Sequence, residues 1–215
     1  IEFDTGSALF QTADEYERLV SSPNRDEEGM SKRQLVAAET QRGAIRLSQV
    51  NPGKDPIDSV GGVSFRHLSM LAQIKSSDED VWSSLNRSGH IQGDPSDSLR
   101  VRLTRMRSWI DGPHFPEDAR LEIRSEIGNE AREHMGSDGL DFLSSLAELL
   151  SECEWTDEGI AESISEACDS SGVSRKDGFA SIYWAFIGRG HGPKASSLLF
   201  EMDRGEVLSL LGGSS

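Results

Sequence analysis

Ser96-Asp97-Ser98-Leu99-Arg100-Val101-Arg102-Leu103-Thr104-Arg105-Met106-Arg107-Ser108-Trp109-Ile110 decides the fold class. Leu99, Leu103, Met106 and Ile110 recur at spacings of 4, 3 and 4, the interval at which one face of an α-helix comes round again. From Leu99 to Trp109 the span also carries Arg100, Arg102, Arg105 and Arg107 and no acidic residue, in a chain where Asp and Glu outnumber Lys and Arg by 37 to 22. The arginines flank the apolar stripe and reach outward. Guanidinium groups are planar, bidentate donors suited to phosphate, so the four form a candidate RNA-binding ridge. The competing reading is internal pairing with nearby carboxylates.

Outward from this span the same periodicity predicts helices over 7–20, 31–49, 64–74, 78–87, 117–127, 139–153, 157–168, 176–187, 194–202 and 206–211. Leu9, Ala13, Tyr16 and Val20 stripe the first, and Ser7 is placed to cap it. Ser77 and Thr156 stand at two further cap positions; Gly159 follows Thr156 at the third residue, so that capping box lacks its acidic or amide half. In 176–187, Phe179, Ile182, Tyr183, Phe186 and Ile187 share a broad face with Trp184 on a flank. Helical spacing favours core packing for these aromatics over base stacking. Alternation of period two is nowhere sustained, and no repeat of 20–50 residues stands out, so neither a sheet nor a solenoid is expected. Residues 22–29 read as a loop, and 51–62, with two Pro and three Gly, as a domain boundary. The division is therefore placed near residue 62, with a short helical connecting region at 1–62 and an all-α domain at 63–215.

The 215 residues are 35% hydrophobic and 27% charged, with mean hydropathy −0.47, which places the chain on the polar side of globular proteins. No apolar run reaches the roughly 18 residues of a membrane span, and no membrane partner is expected. Ile1-Glu2-Phe3-Asp4 offers neither an initiator Met nor a basic, then apolar, leader, and reads as the start of a piece of a longer protein. Cys153 and Cys168 are too far apart for a metal knuckle and are expected as free thiols in a reducing, cytoplasmic setting. A formal net charge of −15 counts against nucleic acid as a partner, and DNA is not expected. Two readings of the acid stand: a solvating coat suited to high salt, or a surface that repels RNA except where Arg clusters.

Catalytic patterns are absent. Met30-Ser31-Lys32-Arg33 matches the core of an ATP-phosphate loop, but no parallel-strand pattern accompanies it, and a helix start is the better reading. His67, His90, His114, His134 and His191 are scattered, and no Ser lies in a nucleophile elbow, so neither a metal site nor a catalytic residue is expected. A second basic stretch is Gly188-Arg189-Gly190-His191-Gly192-Pro193-Lys194. Glycine-freed amides at a helix start bind phosphate, although turn punctuation is the commoner reason for such glycines. Arg189, His191 and Lys194 join the candidate RNA-binding set.

Several stretches together resemble the class I, archaeal-type lysyl-tRNA synthetases. Ile1-Glu2-Phe3-Asp4-Thr5-Gly6 with Asp14-Glu15-Tyr16-Glu17-Arg18-Leu19 is similar to the segment that follows the family's signature loop. Leu47-Ser48-Gln49 and Val63-Ser64-Phe65-Arg66-His67-Leu68 resemble the entry to its tRNA-binding part. The Trp109 region, Gly178-Phe179 through Ile187-Gly188, Gly192-Pro193-Lys194-Ala195 and 198–211 resemble its carboxy-terminal helices. The resemblance implies a multi-helix, cage-like anticodon-binding bundle preceded by a stem-contact region, with tRNA(Lys) as partner. It implies a catalytic Rossmann domain elsewhere in the parent protein, using ATP and Mg²⁺, and no cofactor in this segment. The acidity and scarce Lys depart from that pattern. The alternatives are a synthetase-derived protein-interaction module and one half of a split enzyme.

Overall fold

A computed structural model describes residues 7–21, 29–48 and 62–213. Among these there are ten α-helices and no strand, in keeping with the all-α expectation. They fall into two compact units, one of residues up to Ala72 with Asp78–Asp118, the other of Gln73–Ser77 and Ala119 onward. The boundary drawn near residue 62 rests on a stretch lying, up to residue 61, outside the described residues, as does the loop at 22–28.

The first unit holds α1 (Ser7–Ser21), α2 (Lys32–Ser48), most of α3 (Phe65–Ile74), α4 (Asp78–Arg87) and α5 (Asp97–Ile110). Its core is the apolar stripes of the last three: Leu68, Leu71, Val81, Leu85, Leu99 and Leu103 are fully or almost fully buried. Phe10 of α1 packs edge-on to Phe65 at 5.5 Å and against Trp109 at 5.6 Å, and Trp109 in turn meets Phe115. Glu17 ties α1 down by accepting from the Phe65 amide (2.6 Å) and from Arg102 (3.2 Å). At the start of α2, Ser31 Oγ accepts from the Gln34 amide while Gln34 Oε1 accepts from the Ser31 amide, a reciprocal capping box. Met30-Ser31-Lys32-Arg33 is thus a helix start, and α2 leaves Val36 and Leu47 exposed.

The second unit packs α6 (Asn129–Glu152), α7 (Asp157–Ser171), α8 (Arg175–Ile187), α9 (Ala195–Glu201) and α10 (Arg204–Gly212) around Phe142, Leu146, Leu150, Ile160, Ile182, Phe186 and Leu198. Glycine sets the approach of α8 to both α6 and α7. A Cβ at Gly139 would lie 2.7 Å from Ser181 Oγ, and one at Gly178 would lie 2.6 Å from Cys168 Sγ. The Thr156, Ser174 and Asp203 side chains cap α7, α8 and α10. Gln73 and Lys75 belong to this unit: Gln73 takes the Leu121 amide (2.8 Å), and Lys75 Nζ donates to the Glu201 carbonyl (2.5 Å) with the fully buried Glu201 carboxylate 3.6 Å away. Both cysteines are free thiols.

Two helix expectations need correction. In place of a helix over 117–127 there is one 3-10 turn, Glu117–Ala119, followed by non-helical chain. Leu121, Ile123 and Ile127 form no helical stripe, Ile123 is exposed, and the amides of Leu121 and Arg124 are taken by Gln73 and the Phe186 carbonyl. The helix expected from 139 lies in the second of two runs of α6; a first run starts at Asn129, and Gly136, at φ 62°, ψ −169°, breaks the helical backbone at the kink between them.

Candidate nucleic-acid interface

The α5 ridge begins where Ser96 Oγ accepts from the Leu99 amide, fixing the register that buries Leu99, Leu103, Met106 and Ile110. That register sorts the arginines. Arg102 and Arg107 stand at the edges of the buried stripe and turn inward: Arg102 donates to the Val63 carbonyl and Glu17, both at 3.2 Å, and Arg107 to Asp78 at 2.8 Å and the Ala72 carbonyl at 3.1 Å. Arg100 and Arg105 are exposed. The Arg100 guanidinium lies 5.9 Å from the centre of the Trp82 ring, a cation–π pair between α5 and α4. The two readings of the span thus divide by position, with internal pairing holding Arg102 and Arg107 and an outward face left to Arg100 and Arg105.

In the second unit, Gly188 ends α8 in the left-handed region (φ 67°) and begins the basic turn. The turn is pinned. Tyr183 Oη donates to the Pro193 carbonyl at 2.6 Å, and Gly192 sits so close to the Tyr183 ring that an added Cβ would lie 2.9 Å from it. Burial pushes the Tyr183 phenol above its ordinary range. Lys194 Nζ pairs with Asp157, whose other oxygen accepts from Ser197 at 2.8 Å. Burial acts to raise the Asp157 carboxyl, but the hydrogen bonds from Lys194, Ser197 and Ser196 and the Lys194 charge outweigh it and hold it below the ordinary carboxylate range. His191 is exposed and Arg189 half-buried.

Other groups escaped the sequence. Arg124 lies against Gly188, its Nε 3.0 Å from where a Cβ would stand, and a surface Glu122 is 3.6 Å from its guanidinium. His134 of α6 stacks on Trp184 of α8, ring centres 4.1 Å apart and planes within 10°. Nothing in periodicity brings residues of two different helices together, and of the 176–187 aromatics Phe186 packs in the core beside Ile182 and Ile187, whereas Tyr183 and Trp184 are half-buried and Phe179 is exposed.

Charge limits where a phosphate chain can lie. Glu152, Glu154, Glu158, Glu162 and Glu166 line a cleft of about 430 Å³ where the end of α6 meets α7. This cleft repels RNA. Among the described residues no group of three His, Cys, Asp or Glu side chains is arranged for a metal, and Ser31 of the loop-like motif is committed to Gln34. No helix among them is long and apolar enough to cross a membrane.

Residues 91–211, more than half of the chain, match the family model described as the anticodon binding domain. The chain is similar to the lysine–tRNA ligase of Picrophilus torridus, 24% identical over 208 residues that make up 97% of this chain and 38% of that protein. It is 28% identical over 177 residues to that of Pyrococcus horikoshii, 77% of this chain and 32% of the relative. With that of Methanopyrus kandleri it shares 26% over 235 aligned positions, 99% of this chain and 38% of the relative. The chain therefore spans well under half the length of the relatives it matches.

Proposed function

The chain belongs to the anticodon binding domain family, and on that premise we propose that it holds tRNA(Lys) by its anticodon arm as part of a lysine–tRNA ligase. In this reading, attachment of lysine with ATP and Mg²⁺ falls to a catalytic Rossmann domain, for which the relatives' greater length leaves room. The observation that carries it is on α5, within the matched span: Arg100 and Arg105 face solvent in a chain of net charge −15. Such isolated cations set the register of a phosphate backbone, while base edges and stacking surfaces supply specificity. Surrounding acid discourages any other docking. Arg189, His191 and Lys194 form a second candidate contact, in which Lys194 exchanges Asp157 for phosphate.

The test is binding of the chain to lysine tRNA transcripts with native and altered anticodons across a salt series. Native tRNA binds, affinity falls with salt, and the altered anticodon binds less tightly. If no transcript binds at any salt where the chain is folded, the reading is wrong and a protein-interaction module takes its place. If both anticodons bind equally, tRNA is held but the anticodon is not read.

A further inference from the structure

Four tryptophans are present, and three of them meet phenylalanine rings or a guanidinium. Trp109 is enclosed by Phe10, Phe65 and Phe115. Trp155 lies under Arg204, which is itself tied to the Leu150, Ser151 and Cys153 carbonyls. Trp82 carries Arg100. Trp184 differs from the others in being stacked face to face on another ring, the His134 imidazole, with planes within 10°.

The backbone is shaped to hold that plate. His134 stands two residues before Gly136, whose positive φ ends the first run of α6, and Gly139 admits the second run to close contact with Ser181 of α8. His134 is exposed above the half-buried indole, so the imidazole is the outer layer of the stack. On the α8 side of the stack the chain is basic, whereas on α6 the exposed Glu130, Glu133 and Asp138 flank His134. Arg124 is held against Gly188, four residues beyond Trp184, and Arg189 and His191 follow in the turn; Glu122 lies 3.6 Å from the Arg124 guanidinium. At the indole edge stands Gly190, where a Cβ would already be 3.3 Å from Trp184 Nε1.

We propose that the His134–Trp184 stack takes one unpaired nucleobase of a single-stranded RNA loop, the base lying on the imidazole and its flanking phosphate on the Arg124 guanidinium. The proposal rests on the tRNA-binding reading and gives it a base-contacting residue. Stacking of this kind tolerates any base, because every base has a π face. The site therefore supplies affinity and splays the loop rather than choosing its sequence.

The experiment titrates the full chain with the anticodon stem–loop of lysine tRNA, following affinity, its salt dependence and tryptophan fluorescence. Wild type binds with quenching. His134→Ala and Trp184→Leu each weaken binding by ~10- to 100-fold, the range of one lost base stack, with the salt slope unchanged because no charge contact is removed. His134→Phe retains affinity, and Arg124→Gln lowers the salt slope by about one. Wild-type affinity in a folded His134→Ala protein, or an equal loss in His134→Phe, overturns the site while leaving tRNA binding intact. Failure of wild type to bind at any salt overturns the tRNA-binding reading and the site with it. Should Trp184→Leu not fold, the His134 pair decides alone.

Discussion

Single residues in this chain do two kinds of work that look alike in sequence. Arg102 and Arg105 are three apart on one helix, yet Arg102 is committed to the Val63 carbonyl and Glu17 while Arg105 is exposed. Arg102→Ala should therefore destabilise the fold by ~1–3 kcal/mol, the cost of leaving buried partners without a charged donor, and lower the melting temperature, whereas Arg100→Glu with Arg105→Glu should leave melting nearly unchanged and flatten the salt dependence of tRNA binding. Thermal melts and salt titrations of both variants check the pair. Asp157 sets a pH dependence of known sign. Its carboxyl is held below the ordinary range in the folded chain, so its stabilising contribution is complete above the unfolded carboxylate pKa, about 4, and is lost as pH falls through the folded value. Lys194→Met should melt below wild type at neutral pH, and the gap should close on acidification below about pH 4. A gap constant with pH would show that Lys194 acts through packing alone. Gly178 is a third case, since a methyl there would overlap Cys168 Sγ at 2.6 Å and crowd Phe142 at 3.3 Å, both buried. Gly178→Ala should cost ~1–3 kcal/mol by overpacking, and Cys168→Ala in the same chain should restore part of it, a coupling that a double-mutant cycle in denaturant measures.

At the scale of elements, what was legible in the sequence was whatever repeats at a fixed interval. The stripes of α3, α5, α7 and α8 recur every three or four residues, and the Thr156 cap stands where the α7 stripe begins. Periodicity did not announce the first run of α6, from Asn129 to the Gly136 kink, and residues 117–127 form no helix because the Leu121 and Arg124 amides are taken by partners distant in the chain. The candidate interface divides likewise. Its arginines were visible as a run without acid, but which of them turn inward depends on Glu17, Val63, Ala72 and Asp78, whose approach no local pattern encodes. The His134–Trp184 stack joins two helices and left no mark in either. On α7, Glu158, Glu162 and Glu166 repeat every fourth residue, so like charges face one another along one side of the helix. Replacing all three with Gln should raise the melting temperature modestly, each relieved pair contributing ~0.2–0.5 kcal/mol, and differential scanning of the variant at low salt is the check.

At the scale of the whole molecule, a net charge of −15 makes salt act in opposite senses on folding and on RNA binding. Screening over a Debye length of about 10 Å at 0.1 M relieves self-repulsion in the folded chain and weakens its hold on phosphate. Melting temperature should thus climb with potassium chloride over the range in which tRNA affinity falls, and two titrations in one buffer series suffice to see it. The second compact unit carries a different burden. Its members Gln73 and Lys75 lie ahead of α4 and α5, and their partners Ala119, Leu121 and Glu201 come long after. A ribosome making this chain releases Gln73–Ser77 before α4 and α5 emerge and delivers Glu201 126 residues after Lys75, so the early strip of the second unit must wait for its partners until the later stretch is made. A protease nick between Ser77 and Ala119 would sever the peptide chain without freeing that unit, whose early strip would stay held by the Gln73 and Lys75 hydrogen bonds.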